Sequence, residues 1–137
     1  MAGKTSLLYV KMPLATTPVY DTAAMQNDAG GISGLKAGLV PPDDCASMGQ
    51  LRQAIDALDT RLVVLLAIRQ AYIERAAVLK LGRDQVRDLA RIEDVVAKVL
   101  MAANEAGLSA AIAEPVWRTL IEASITHEFE IFDKIRG

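Results

Sequence analysis

The sequence has one cysteine, Cys45, and one histidine, His127. A disulfide within the chain is therefore impossible, and a zinc site of the usual cysteine and histidine type lacks its donors. Both residues are read as incidental to function. No stretch approaches the roughly 20 consecutive apolar residues needed to cross a bilayer. Met1 to Val10 carries Lys4 and then Leu7-Leu8-Tyr9-Val10, but Lys11 and Pro13 break the run too early for a secretory leader. A cytoplasmic protein with no membrane partner is the expectation. An excess of one charge is also lacking. The formal net charge of −2 offers no strongly basic face for a phosphate backbone, so nucleic acid is not expected as a partner. The sequence has no glycine-rich phosphate loop, Cys/His cluster or Ser/His/Asp set, which leaves nucleotide binding, metal catalysis and nucleophilic hydrolysis without support.

What is present suits one globular domain. The chain has 137 residues, 52% of them hydrophobic and 23% charged, enough to bury its own core. Residues 1–45 hold most of the glycines and four of the five prolines, with no sustained apolar period. They read as an N-terminal extension or arm. Residues 46–137 read as a helical domain.

Ser47-Met48-Gly49-Gln50 has the spacing of a capping box. Leu51, Ile55, Leu58, Leu62, Leu65, Leu66, Ile73, Ala76 and Leu79 then recur at alternating steps of three and four, which predicts a helix from Leu51 to Leu81, stopped by Gly82. At 1.5 Å per residue this helix is about 45 Å long. That is longer than a compact chain of this size covers from both sides, so a partner chain is implied. A second helix is expected from about Gln85 to Ala106, capped by Asp84 and ended by Gly107. A third is expected from Ser109 to the last residues, starting later or kinked if Pro115 disturbs it. The fold class is all-α, with no strand in the domain.

Several polar residues stand out on these helices. Arg69 and Lys80 are eleven residues apart, about three turns, so they share a face. Two such cations can grip two carboxylates of one ligand; equally, they can be solvated parts of an amphipathic helix. Arg52 lies roughly 25 Å from Arg69 along the axis, too far to reach the same small ligand within one subunit. Asp88 and Arg91 have the spacing of a surface pair. Ser124 and Glu128 share a face beside Ile121 and Ile125, where a carboxylate is costly to bury without a partner.

The motifs Leu51-Arg52-x-x-Ile55-Asp56-x-Leu58-Asp59, Leu65-Leu66-Ala67-Ile68-Arg69, Lys80, Val86-Arg87-Asp88-x-x-Arg91 and Ile121-Glu122-x-Ser124 together resemble the all-helical chorismate mutases, including their isochorismate pyruvate lyase branch. The resemblance runs from Pro42 to about Gly137. It implies a three-helix protomer with one long N-terminal helix, paired into an intertwined homodimer that needs no cofactor or metal. Its substrate would be chorismate, rearranged to prephenate, or isochorismate, split to salicylate and pyruvate. By the same resemblance Lys80, Glu128 and Arg69 would be catalytic: Arg69 on a carboxylate, Lys80 on a carboxylate and the ether oxygen, and Glu128 opposite Lys80. Arg52 would reach across the dimer to a second carboxylate, Arg91 and Ser124 would support substrate binding, and Asp88 would meet the ring hydroxyl.

The chain departs from the family pattern in particular places. Ile92 follows Arg91 where many mutases carry glutamate, and the lyase branch is also apolar there. The Pro42-Asp43-Asp44-Cys45 lead-in is likewise similar to the lyases, and the stretch from Lys80 to Arg87 is one residue shorter than in the mutase pattern. Asp88 favours the mutase. Glu128 stands where glutamine is usual. A helical module for dimerisation or ligand sensing, without turnover, is the alternative from a different class.

Overall fold

A computed structural model describes residues 34–137, and every regular element among them is helical. Most of the expected extension, including Met1 to Val10, lies outside the described residues; its described end contains a 3-10 turn at Pro42–Asp44. The long helices are α1 (Met48–Leu79), α2 (Leu89–Ala106) and α3 (Ala110–Arg136). No helix among the described residues is long and apolar enough to cross a membrane. The chain divides into two compact units, one ending at Arg69 and one covering Gln70–Gly137.

In the first unit α1 starts on the expected cap. Ser47 Oγ accepts from Gln50 N–H at 3.2 Å, and Gln50 Oε1 accepts from Ala46 N–H at 2.7 Å. The reciprocal pair thus forms, with the amide reaching one residue farther back than the usual box. The Arg61 guanidinium donates to the carbonyls of Leu35 and Ala37 and ties the segment before the helix to its flank. The apolar stripe that predicted the helix is only partly covered: Ile55, Leu58, Leu62 and Leu66 remain between 40% and 53% exposed. These large apolar side chains lie in helical register and are open to water.

The second unit takes up the end of α1, the 3-10 turn Arg83–Gln85, α2 and α3. Here α1 stops at Leu79 rather than Leu81, because the Leu81 N–H leaves the helical ladder and donates to Gln85 Oε1 at 2.9 Å. The expected cap at Asp84 is corrected. Asp84 lies inside the 3-10 turn, and α2 begins later, capped by Asp88, whose Oδ1 accepts from Arg91 N–H at 3.0 Å. Asp88 and Arg91 are therefore joined through a backbone donor instead of forming the surface ion pair their spacing allows.

Gly107 ends α2 with φ 77°, and Leu108 N–H returns to the Ala103 carbonyl at 2.8 Å, the double-bonded stop that favours glycine. Ser109 caps α3 by accepting from Ala111 N–H at 3.3 Å. The helix does not start later; it carries Pro115 within it. The carbonyl of Ala111 loses its donor there, but both residues are exposed and water can satisfy it.

α2 and α3 run antiparallel, since Arg87, just before α2, pairs with Glu122 while Glu93, within α2, pairs with Arg118, earlier on α3. Ala77, Val86, Val96, Ile121, Ile125 and Phe132 form the core, with Ile92, Trp117 and Phe129 packed against it. Ile92, where many mutases carry a carboxylate, thus serves packing. Replacing Asp88 by alanine is expected to cost about 1 kcal/mol through loss of the cap, whereas Asp88→Asn keeps most of it. Thermal melting of the two variants checks this ranking.

Candidate active site

Of the expected site residues, Lys80 and Glu128 come together where the end of α1 meets α3. Ile121, Ile125, Glu128 and Phe132 follow the spacing of one helical face, and all four are buried. Glu128 is thus carried into the core by the same periodicity that buries its apolar neighbours. It is the one polar residue among those buried in the described chain, at 3% exposure. A lone carboxylate there would be costly. Lys80, one residue past α1, supplies the partner, with Nζ 2.6 Å from Glu128 Oε1.

That contact is one of charge, not an aligned hydrogen bond: Oε1 has no donor in hydrogen-bond geometry. The same ammonium makes a long hydrogen bond of 3.5 Å to the Val86 carbonyl. The pair therefore combines a buried carboxylate with an ammonium whose side chain is 27% exposed. One turn before Glu128, Ser124 Oγ donates to the Leu120 carbonyl at 2.7 Å, a backbone bond that fixes the hydroxyl on this face.

The other expected residues are placed differently. Asp88 is occupied at one oxygen by its cap. The Arg91 guanidinium, 62% exposed, pairs with Asp94 at 2.6 Å, and Lys98 meets the same carboxylate at 2.8 Å. Hydrogen bonds from Lys98, then from Arg91, hold the Asp94 carboxyl below its ordinary range. Such an exposed pair contributes about 0–1 kcal/mol, so the guanidinium can exchange partners at little cost. Arg52, which is exposed, and Arg69, which is partly buried, belong to the first unit.

Three carboxylates on α3 receive the cations that follow α1. Glu128 takes Lys80; Asp133 takes Arg83, with Nε at 3.0 Å from Oδ1 and its guanidinium 4.3 Å from the centre of the Phe129 ring; Glu122 takes Arg87 in a two-pronged contact of 2.8 and 2.9 Å. The hydrogen bond from Arg87 lowers the Glu122 carboxyl, and its counterpart raises the guanidinium. His127, read from sequence as incidental, bridges the same helices, with Nε2 2.8 Å from Glu74 Oε1, which also accepts from Gln70. The contacts of Arg83 with Asp133 and of Glu74 with His127 span 50 and 53 residues of sequence, so nothing local signals them. Among the described residues no group of three or more His, Cys, Asp or Glu side chains could hold a metal ion.

The chain is similar to known proteins over most of its helical part. The isochorismate pyruvate lyase of Pseudomonas aeruginosa is 26% identical over 96 residues, covering 70% of this chain and 95% of that protein. The sequence model of a family described as chorismate mutase type II matches residues 51–129, a span that includes Arg52, Arg69, Lys80, Asp88, Arg91, Ser124 and Glu128. With more than half of the chain inside that match, the protein belongs to the chorismate mutase type II family.

Proposed function

We propose that the protein is a chorismate mutase, rearranging chorismate to prephenate. The observation that carries this reading is the buried Glu128 carboxylate with the Lys80 ammonium 2.6 Å away. A pericyclic rearrangement needs no nucleophile and transfers no proton: one carbon–oxygen bond breaks as one carbon–carbon bond forms. Its barrier falls when the substrate is held in the folded reactive conformer. Negative charge gathers on the ether oxygen as the bond breaks, and a fixed cation in a dry site stabilises that charge more than it stabilises the ground state. Lys80 is the cation assigned to this role.

In the same reading Glu128 lies across the ether oxygen from Lys80, and Arg69 holds one substrate carboxylate. Arg52 comes from the second subunit of a homodimer to hold the other, consistent with the half-open apolar stripe of α1. Arg91 exchanges Asp94 for the substrate, Ser124 supports binding, and the second oxygen of Asp88 meets the ring hydroxyl while the first keeps its cap. No cofactor takes part.

A second reading, isochorismate pyruvate lyase, is favoured by the relative that bears that name and by the apolar Ile92. It breaks the corresponding carbon–oxygen bond and uses the same cationic grip. Incubating the protein separately with chorismate and isochorismate tests both. Prephenate from the first supports the mutase, and salicylate with pyruvate from the second supports the lyase. No product from either, with Lys80→Ala altering only stability or association, leaves a non-catalytic module.

A further inference from the structure

The last carbonyls of a helix have no donors within it, and the negative end of the peptide dipoles collects there. At the end of α1 the donor comes from another helix. Arg136, in the last turn of α3, donates from Nη2 to the carbonyls of Lys80 and Val78, the latter at 3.5 Å. Its guanidinium carbon lies 4.8 Å from the centre of the Phe132 ring, one turn earlier and part of the core. The fork is thus backed by a fixed aromatic face.

Lys80 is consequently held on both sides of its Cα. Its N–H donates to the Ala76 carbonyl at 3.0 Å, and its own carbonyl accepts from Arg136. With both peptide groups fixed, the Cα–Cβ direction is fixed as well, and the ammonium samples only its own staggered torsions. We propose that Arg136 is a positioning residue for Lys80: its hydrogen bonds go to backbone oxygens, and it acts by aiming the ammonium at Glu128. The inference rests on the reading of Lys80 as the cation that meets the ether oxygen.

The test uses the full chain and whichever substrate it turns over. Arg136→Ala is expected to lower kcat about 10- to 100-fold while KM changes less than about threefold, the signature of misplacement rather than lost binding. Millimolar guanidinium should restore part of kcat. Arg136→Lys keeps the charge but loses the planar group that rests on the Phe132 ring and sets the direction of the donor; its kcat should fall about threefold to tenfold with melting nearly unchanged, and it carries the test if the alanine variant does not fold.

Arg118→Gln is the control, since it breaks a comparable clasp to Glu93 and Glu114 and should lower melting without changing kcat. The inference is overturned if Lys80→Ala is inactive yet the folded Arg136 variants keep kcat within twofold of Arg118→Gln. It is also overturned if their loss tracks the unfolded fraction and guanidinium recovers nothing. Full turnover in Lys80→Ala would instead sink the reading of Lys80, and the role of Arg136 with it.

Discussion

Lys80→Ala is expected to lower kcat/KM by about 10³-fold or more on the productive substrate. Removing one preorganised donor from a developing oxyanion typically costs about 10²- to 10³-fold, and here the donor also carries the full charge. The same change leaves Glu128, 3% exposed, without its cation. Stripping one partner from a fully buried pair costs roughly 3–5 kcal/mol; because the Lys80 side chain is 27% exposed, about 1–3 kcal/mol is the better expectation. Activity and stability can be separated by Lys80→Met combined with Glu128→Leu, which removes both charges. Melting should return toward that of the unmodified protein while activity stays lost. A well-folded double variant with turnover within tenfold of the original would remove Lys80 from the chemistry.

Glu128→Gln is expected to change the shape of the pH profile. A carboxylate only accepts hydrogen bonds; the acid form donates one, and a glutamine amide donates at any pH. If Glu128 donates to the ether oxygen, the unmodified enzyme should gain rate as pH falls from about 8 to about 5. The sign is fixed: raising pH removes the donor. The glutamine variant should be nearly flat and faster at the alkaline end. A flat profile in the unmodified protein would place Glu128 outside the reacting centre.

Most of the helical layout was legible in the residues, for reasons that differ along the chain. The three-four alternation from Leu51 to Leu79 specified α1, and Ser47 with Gln50 marked its start, because both signals are local. The start of α2 was misjudged because Asp84 and Asp88 are equally good caps by type. What decides between them is the 3-10 turn at Arg83–Gln85 and the Gln85 side chain's hold on Leu81, which no propensity encodes. Glu128 was legible as a problem, a carboxylate on an apolar face, and Lys80 as its answer only through the family motifs. Arg136 and Arg83 were silent, since a cation near a helix end looks alike whether it meets water or a distant carbonyl. The open face of α1 follows from the length of its apolar stripe.

Dissolved salt divides the three tethers between α3 and the segment that follows α1. The Arg83–Asp133 and Arg87–Glu122 pairs stand in solvent, with side chains 43–61% exposed, and mobile ions screen such charges within about 8–10 Å at ordinary ionic strength. The Lys80–Glu128 pair is sheltered by comparison. Added electrolyte therefore loosens the middle and far end of that segment while its first residue stays fastened, so rate constants taken in dilute and concentrated buffers describe differently restrained forms of one catalyst.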